Sequence, residues 1–367
     1  MAVTRLWLAD FRCFTEATIE PDTSGLTVLR GANGAGKTSM LEAVGWLATQ
    51  RSIRGSPREA LVRTGAERAI VRAECVEARR RVQVEAEIPL SGSARTLVNR
   101  QVVRRRADLA EALRMTVFSP DDLALVQGGP AGRRDYLDEA LIDAHPRNET
   151  MVGEVERVLR QRAALLRQAG GQARPEIVDT LDVWDARLAD AGEALAAGRQ
   201  ALIAELAPAA AIAYEHLAGA QEEPGALGMS YRPSWEGTLA DALTAARRED
   251  LRRQVTTVGP HRDEVELTVS GRPARTQASQ GEQRCVALAL RLATHALASA
   301  RWPEPPVLLL DDVFSELDAR RAEALVEQLP AGQVLLTTAV DPPLVVAPDR
   351  VVEVAGGRLA AASGGGT

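Results

Sequence analysis

Eight consecutive residues near the start of the chain have the types and the spacing of a phosphate-binding loop. They read Gly31-Ala32-Asn33-Gly34-Ala35-Gly36-Lys37-Thr38 and match the pattern G-x-x-x-x-G-K-[ST]. Glycines permit a tight turn in which backbone N–H groups face a polyphosphate. Lys37 is expected to reach the β- and γ-phosphates, and the Thr38 hydroxyl is expected to hold Mg²⁺. The loop therefore predicts a nucleotide site, with ATP and Mg²⁺ as its cofactors.

The residues on both sides of the loop support this interpretation. Residues 26–29 form a short, apolar, β-branched run that is typical of a strand, and residues 39–47 have the pattern of a helix. Lys37 is also the single lysine among the 44 Lys and Arg residues of the chain. Every other cation is an arginine, which indicates that a compact ammonium group is specifically required at position 37.

A second group of candidate residues follows an apolar run near the end of the chain. Residues 307–310 are all apolar and are followed by Asp311 and Asp312, as expected for a buried parallel strand that ends in acids. We expect Asp311 to hold Mg²⁺ together with Thr38, and Asp312 to polarise the attacking water. The predicted catalytic residues are thus Lys37, Asp311 and Asp312. A strand end that is simply capped by acids is the alternative.

A third motif, at residues 279–283, lies between the other two in the sequence. Ser and Gly before a helix are common caps, so this segment alone is a weak signal. The order of phosphate loop, S-x-G-E-Q segment, helix and acidic strand resembles the ABC-type ATPases. The resemblance implies that the segment completes the ATP site of a second copy, so that ATP closes a homodimer. The expected signature residues are Ser279, Gln280, Gly281, Glu282 and Gln283, and the expected D-loop residue is Asp318.

Composition limits the class of protein and its location. A chain of 367 residues that is 46% hydrophobic is long enough for two domains with a substantial core. The first ten residues lack the pattern of a signal peptide, and no run approaches the ~18 apolar residues of a membrane span. Three scattered cysteines suit a reducing compartment. These features predict a cytoplasmic protein without a membrane partner.

Arginines are concentrated in one segment. The net charge of −6 argues against nucleic acid, but residues 51–106 contain 14 Arg and 6 Glu, which gives that segment a net charge of +8. A basic segment on an acidic protein predicts a phosphate-binding face that could hold DNA without reading its sequence. A solvated surface with an arginine bias is the alternative. The candidate DNA-binding residues are Arg51, Arg54, Arg79, Arg80, Arg81, Arg104, Arg105 and Arg106.

The succession of elements predicts an α/β fold: an ABC-type ATPase head with a mixed or parallel sheet, an antiparallel β-subdomain and an inserted α-helical lobe. Alternating apolar and charged residues indicate the antiparallel strands, with a hairpin turn at Asn99. Glycines and prolines at 219–237 predict loop and turns. The predicted divisions are 1–120 with 256–355 for the head, 70–104 for its antiparallel subdomain, 121–255 for the helical lobe and 356–367 for a disordered tail.

Several blocks of the chain resemble the RecF family of bacterial recombinational repair ATPases, whose heads are ABC-type and similar to those of structural-maintenance proteins. Ser279 lies 241 positions after Thr38, a spacing that is too long for a transporter ATPase and too short for a long coiled coil. The matching blocks span essentially the whole chain. They are 8–14, 31–43, 118–123, 128–130, 133–138, 259–264, 279–284 and 310–318.

This resemblance implies a function in DNA repair and replication. An ATP-gated homodimer would close on single- or double-stranded DNA at gaps or junctions, work with RecR and RecO type mediators to load recombinase, and support the SOS response. Asp312 stands where most ABC-type ATPases have Glu, and Thr337-Thr338 stands where transporters have a switch histidine. No Q-loop glutamine is obvious, and Asp121 or Asp122 is the candidate for that role. These departures imply slow hydrolysis that acts as a switch, and we also expect DNA to stimulate it.

Two other functions stay open from the sequence. The energising subunit of an ABC transporter is the first, and the long middle insert and the basic segment 51–106 oppose it. A short chromosome-structure ATPase is the second. It predicts long heptad helices, whereas the helical pattern at 148–206 is short and interrupted by Gly170-Gly171.

Overall fold

The structure is a computed structural model that describes residues 1–78, 80–103, 105–219, 225–339 and 347–361. Its strands are β1 Ala2–Phe11, β2 Phe14–Ile19, β3 Leu26–Arg30, β4 Arg68–Glu77, β5 Arg80–Pro89, β6 Arg95–Val98, β7 Gln101–Val102, β8 Met115–Phe118, β9 Leu227–Arg232, β10 Glu264–Val269, β11 Arg272–Pro273, β12 Val307–Asp311, β13 Val334–Thr338, β14 Arg350–Ala355 and β15 Arg358–Ala361. Its helices are α1 Lys37–Thr49, α2 Arg106–Ala112, α3 Leu123–Gln127, α4 Pro130–Ala144, α5 Asn148–Ala169, α6 Pro175–Ala218, α7 Leu239–Arg253, α8 Ala274–Gln277, α9 Gln280–Arg301 and α10 Ala319–Glu327.

The chain divides into two compact units. The first comprises the described parts of Met1–Leu123, Ile212–Glu222 and Arg284–Thr367, and the second comprises those of Ala124–Ala211 and Glu223–Gln283. This division differs from the sequence prediction in two places: the described part of 212–222 belongs with the head, and residues 256–283 belong with the helices. The reason is strand pairing: β10 lies in this segment and pairs along its whole length with β9, in the second unit.

A six-stranded sheet in the first unit holds the phosphate-binding loop. Its order is β15-β14-β3-β13-β12-β8, and all neighbours are parallel except β14 and β15. Strands β12 and β13 are buried at every residue, which explains their continuous apolar sequences. Because β3, β12 and β13 are parallel, their carboxyl ends lie at the same edge of the sheet, where the loop begins.

A second six-stranded sheet in the same unit is antiparallel, in the order β2-β1-β4-β5-β6-β7. The predicted hairpin at Asn99 is present: Val98 pairs with Gln101, and Asn99 and Arg100 both have positive φ. The sheet is wider than the predicted segment 70–104, because β1 and β2 also belong to it. Helix α1 is buried on almost all sides and packs against strands of both sheets.

The second unit contains helices α4, α5 and α7, helix α6 as far as Ala211, and a three-stranded sheet in the order β11-β10-β9. The predicted helices are present with shifted ends. The prediction of loop and turns for 219–237 is wrong at Leu227–Arg232, which form β9. The glycines and prolines around this strand obscured an apolar pattern that becomes a strand only by pairing with β10.

Helix α6 is long and apolar enough, by length and composition alone, to cross a membrane, and 39% of the qualifying window is buried. Arg199 interrupts its apolar sequence. The Arg199 guanidinium is 3% exposed and donates to both carboxylate oxygens of Asp138, at 2.8 and 2.7 Å. A helix in the interior of a protein meets the same criterion, so this helix is weak evidence for a membrane span.

The predicted disordered tail is partly ordered. Gly356 and Gly357 form a turn with positive φ, and β15 pairs with β14. Residues 362–367 of the predicted tail lie outside the described residues.

Candidate nucleotide-binding site

The phosphate-binding loop connects β3 to α1, as predicted. Gly34 and Gly36 have φ values of 79° and 110°, in the left-handed region that favours glycine. Gly31 has no room for a side chain, because a Cβ atom there would lie 2.1 Å from the carbonyl oxygen of Val354 in β14. The sheet and the backbone conformation therefore both require glycine in this loop, and Ala32, Asn33 and Gly34 face solvent.

Lys37 begins α1 and folds back over the loop. Its Nζ atom donates to the carbonyl oxygens of Gly31 and Ala32, at 2.8 and 3.0 Å, and the residue is 7% exposed. An ammonium group has three donors, so one remains for a phosphate oxygen. The first turn of α1 also presents its free N–H groups to the same place, where they favour an anion.

Thr38 and Asp311 come together at the carboxyl edge of the parallel sheet. The Thr38 hydroxyl donates to Asp311 Oδ1 at 2.7 Å. The Thr337 hydroxyl, from the end of β13, donates to the same oxygen at 2.7 Å. Two residues far apart in the sequence therefore meet as predicted, and a third residue that the sequence analysis did not assign to this site, Thr337, holds them.

Asp312 is held by its backbone. Its N–H donates to the hydroxyl of Thr337 at 2.9 Å and to the Thr337 carbonyl oxygen at 3.1 Å. Its φ of 49° is unusual for a residue other than glycine. Its Oδ1 atom is buried and has no hydrogen-bond partner within the described residues. A side chain positioned in this way has an acceptor free for a water molecule, which is what the predicted role requires.

The surroundings of Asp311 act on its pKa in opposite directions. Burial raises the pKa of this carboxyl, and the hydrogen bonds from Thr337 and Thr38 oppose that rise. The positive charge of Arg54 also lowers it, and the neighbouring Asp312 raises it; the net direction is upward. The charge of Arg54 thus favours the ionised form of Asp311.

The donor set at this edge suits Mg²⁺. A hydroxyl and a carboxylate are hard oxygen ligands, and Mg²⁺ usually takes only one or two protein ligands together with water and substrate phosphates. Within the described part of the chain, no group of three or more His, Cys, Asp or Glu residues could form a metal cage. Thr38 and Asp311 are the residues that would hold the ion, and a bound Mg²⁺ would neutralise phosphate charge.

The segment 279–283 forms the start of α9. The Ser279 hydroxyl accepts from the Glu282 N–H at 3.3 Å, and the Glu282 carboxylate accepts from the Ser279 N–H at 2.5 Å, which is a capping box. Ser279 and Gln280 are exposed. Gln283 is instead buried: it donates to the carbonyl oxygens of Ala274 and Arg275 and accepts from Gln127. Gln283 therefore fixes the loop and is not available to a nucleotide in this structure.

The chain as a whole is similar to known proteins. A family model described as RecF/RecN/SMC N terminal domain matches residues 2–357. The DNA replication and repair protein RecF of Frankia alni is 44% identical over 99% of this chain and 98% of its own length. That of Streptomyces avermitilis is 45% identical over 93% of this chain and 94% of its own length. The chain belongs to the RecF family.

Solved structures place the RecF-family chain among ABC-type ATPase heads. The structure of the recombination mediator protein RecF-ATP in the RecFOR pathway has a TM-score of 0.88 and 26% identity, covering 98% of this chain and 97% of that one. An Smc head bound to the C-winged helix domain of ScpA has a TM-score of 0.58 and 15% identity, covering 98% and 96%. The predicted α/β, ABC-type fold is confirmed, and ATP binding and hydrolysis are general to such ATPases.

Two further predicted positions have structural roles in this RecF-family chain. Asp318 caps α10, where its carboxylate accepts from the Arg321 N–H at 2.9 Å, and its side chain is 58% exposed. Asp122 caps a short 3₁₀ turn and accepts two bonds from Arg291, at 2.6 and 3.0 Å. Its carboxylate is therefore occupied, while Asp121 is exposed. Neither contact tests the predicted D-loop or Q-loop role.

The candidate DNA-binding arginines form two separate groups. Arg51 and Arg54 follow α1, and both are exposed. Arg80 and Arg81 begin β5, at the end of the antiparallel sheet where β1 starts. The other end of β1, at Phe11, is about 30 Å away, because ten residues of strand span that length. Arg105 is exposed and lies 3.4 Å from Asp108. Arg79, Arg104 and the side chain of Arg106 lie outside the described residues.

Ion pairs separate the free arginines of the basic segment from the occupied ones. Arg68 and Arg72 pair across strands with glutamates, at 2.7 and 2.5 Å. Arg80, Arg81 and Arg100 have no ion-pair partner within the described ranges, and all three are exposed. Arg100 was not among the predicted residues. The sequence predicts the hairpin turn at Asn99-Arg100, but it does not indicate that this turn brings Arg100 next to β5.

Proposed function

We propose that this chain is an ATP-dependent DNA-binding protein of recombinational repair and replication. ATP with Mg²⁺ would close two copies into a dimer that encircles or grips DNA, and hydrolysis would release it. The observation that carries the proposal is the site itself: a buried lysine over the loop, the Thr38–Asp311 pair and an unpartnered oxygen on Asp312. The relatives named as DNA replication and repair proteins support it.

In the proposed nucleotide site, each residue has one task. Lys37 leaves its loop carbonyls for the β- and γ-phosphates, and Gly31 to Thr38 surround the phosphates with backbone N–H groups. Thr38 and Asp311 hold Mg²⁺, and Asp312 accepts a hydrogen bond from the attacking water. Aspartate is one methylene shorter than glutamate, which supports slow turnover.

Dimer closure is proposed from the exposed start of α9. The Ser279 hydroxyl accepts a backbone bond but keeps its proton, so it has one donor free for the γ-phosphate of a partner copy. The N–H groups of the first turn of α9 add to this anion site. The buried contacts of Gln283 support the loop from behind. Asp318, exposed at the start of α10, would then face the partner.

DNA binding is proposed for the free arginines at the end of the antiparallel sheet, namely Arg80, Arg81 and Arg100. Exposed guanidinium groups without acidic partners bind phosphates without reading sequence. Single- and double-stranded DNA both carry those phosphates. We propose Arg51 and Arg54 for DNA only as the group that follows α1, through which bound DNA would stimulate hydrolysis.

The wider pathway is proposed by family. A cytoplasmic location, RecR and RecO type mediators as partners, assistance in recombinase loading and support of SOS induction all follow the RecF resemblance. A relative solved with ATP is described as a recombination mediator of the RecFOR pathway, which supports this assignment.

The decisive experiment measures DNA affinity and oligomer mass with and without ATP, at two salt concentrations. We expect ATP to produce a dimer and tighter DNA binding in the wild type, but not in Lys37→Met or Ser279→Arg. The triple change of Arg80, Arg81 and Arg100 to Gln should reduce the slope of log affinity against log salt concentration by the equivalent of about two to three phosphate contacts. If ATP changes neither the oligomer mass nor the DNA affinity of the wild type, the proposal of ATP-dependent closure on DNA is wrong.

A matched control separates the basic patch from net charge. Arg68→Gln with Arg72→Gln removes two positive charges from the same sheet, but from arginines that are already paired with glutamates. We expect this control to bind DNA nearly as the wild type does. If both variants lose the same amount of DNA affinity, DNA does not bind at Arg80, Arg81 and Arg100.

A further inference from the structure

The second half of the phosphate-binding loop lies between two hairpin turns to which the proposed chemistry gives no role. The first turn joins β1 to β2 at Arg12 and Cys13, and the second joins β14 to β15 at Gly356 and Gly357. The second turn has φ values of 53° and 72°, which are typical of a two-residue hairpin turn. One turn comes from the antiparallel sheet and the other from the parallel sheet, and both belong to the first unit.

Both turns donate to the carbonyl oxygen of Ala35, the residue before Gly36. The Gly357 N–H donates to this oxygen at 3.4 Å, and the Cys13 thiol donates to it at 3.9 Å. Both bonds are long, and a thiol is a weak donor. They act on the same oxygen, however, and Ala35 is only 8% exposed. The Ala35 carbonyl is therefore directed toward the two turns.

Close packing holds the same segment in addition to these bonds. A Cβ atom at Gly36 would lie 2.6 Å from Cys13 Sγ and 2.9 Å from Cζ of the fully buried Phe14. A Cβ atom at Gly357 would lie 2.4 Å from the Cys13 carbonyl oxygen. The loop and both turns thus approach one another at positions where only glycine fits.

The direction of the Ala35 carbonyl determines where the next N–H group points. In a trans peptide group, the C=O of one residue and the N–H of the next lie in one plane and point in opposite directions. Because the Ala35 carbonyl points toward the turns, the Gly36 N–H points away from them. In the proposed nucleotide site, this N–H is one of the groups that surround the phosphates.

We propose that Cys13 and Gly357 are positioning residues for ATP binding, which hold the Ala35 carbonyl from behind and so direct the Gly36 N–H toward a phosphate oxygen. The inference rests on the proposed nucleotide site. It adds that residues outside the loop set the direction of a phosphate-binding N–H before ATP arrives. Gly357 acts through Ala35 and Gly36 and does not itself touch the nucleotide.

The test compares two neighbouring glycines of one turn. Gly357→Ala and Gly356→Ala both place alanine at a positive φ, but a Cβ atom at Gly356 would meet nothing within 4 Å. We expect Gly357→Ala to weaken ATP binding about ten- to hundredfold, the effect of losing one hydrogen bond to a charged group. The matched control, Gly356→Ala, should stay within about twofold of the wild type, since its contacts do not change. Equilibrium dialysis with Mg²⁺ and ATP measures the affinity, and urea unfolding establishes that each variant is folded.

An NMR measurement separates positioning from a general loss of stability. In protein that is isotope-labelled at glycine, ATP should move the Gly36 amide proton of the wild type downfield, because its N–H then donates to a charged oxygen. Saturating ATP should produce the same shift in Gly356→Ala. In Gly357→Ala the shift should be lost, because the N–H is no longer directed at the phosphate.

Cys13→Ala is the second variant, which decides the question if Gly357→Ala does not fold. Cys13 is exposed, so this variant should fold, and the change removes the thiol that contacts Ala35 and Gly36. We expect its ATP affinity to fall several-fold.

The proposal is overturned if folded Gly357→Ala binds ATP as tightly as Gly356→Ala, or if it keeps the Gly36 shift. Where Gly357→Ala does not fold, wild-type ATP affinity in Cys13→Ala overturns it. If the wild type itself does not bind ATP, the proposed nucleotide site is refuted, and this inference with it.

Discussion

Thr337 offers the most direct test of the acidic edge, because its hydroxyl bonds both to the Asp311 carboxylate and to the backbone N–H of Asp312. Thr337→Val keeps a similar shape and removes the hydroxyl. The change deletes the bond to Asp311 Oδ1 at 2.7 Å and the bond from Asp312 N–H at 2.9 Å. A bond to a charged group contributes about 1.5–3 kcal/mol and a neutral bond about 0.5–1.5 kcal/mol. Asp312 N–H keeps its bond to the carbonyl oxygen, so we expect a loss of about 2–4 kcal/mol in the free energy of unfolding.

The same change should alter the chemistry. The bond from Thr337 lowers the pKa of Asp311, so its loss raises that pKa further. We therefore expect the acidic limb of the rate–pH profile to move to higher pH when Mg²⁺ is below saturation, because protons and Mg²⁺ compete for this carboxylate. The carboxylate would hold Mg²⁺ over a narrower pH range.

The assays are denaturant unfolding and ATP hydrolysis between pH 5 and 9, with Thr337→Ser as the control that retains a hydroxyl. The serine variant should resemble the wild type in both. If the valine variant unfolds at the same denaturant concentration as the serine variant and shows the same rate–pH profile, the hydroxyl does not organise the two acids.

Three further predictions concern other parts of the molecule. Gly31→Ala should abolish nucleotide binding, measured by equilibrium dialysis, because the new methyl group would lie 2.1 Å from the Val354 carbonyl oxygen; Gly34→Ala, where a Cβ meets nothing within 4 Å and only the positive φ of 79° is strained, should weaken binding less. Burial lowers the pKa of His295 to about 4 from 6.5, so its neutral form stabilises the fold above pH 6.5, and this stabilisation falls as the pH drops toward 4. As the pH falls from 7 to 5, His295→Gln should therefore lose about 2 kcal/mol less unfolding free energy than the wild type, measured by urea unfolding at each pH. If both proteins lose the same amount, the effect is excluded. Gln283→Ala should weaken ATP-dependent dimerisation several-fold in mass measurements while leaving ATP affinity nearly unchanged, since it frees the signature loop; a fall in ATP affinity of the same size would contradict this.

Local pattern was sufficient for the parts of the site that are continuous in sequence. The loop from Gly31 to Thr38 and the strand before Asp311 have fixed spacings, and parallel strands bring their carboxyl ends together. Thr337 could not be recognised, because a threonine at the end of an apolar strand has no distinctive spacing. Its role depends on the register that sets it opposite Asp311.

The same limit applies to the fold. Asn99 predicts its hairpin, because two-residue turns require positive φ and asparagine is one of the residues that tolerate it. Strand β9 has no comparable local signal, and only its pairing with β10 makes it a strand and draws residues 256–283 into the second unit. Glu42 likewise reads as an ordinary polar position of α1, because its burial depends on Arg12 and Ser52, which precede and follow it in other elements.

The position of β3 has a consequence for how the protein is made. This strand carries the phosphate-binding loop, yet its two neighbours are β13 and β14, so that Leu26 pairs with Val334 and Thr27 with Arg350. A chain emerging from the ribosome exposes its loop early but cannot hold it in place until nearly all of the remaining residues have been synthesised. Incomplete chains therefore lack an assembled phosphate-binding loop, and the proposed ATP-dependent dimer would exclude them without any separate quality control.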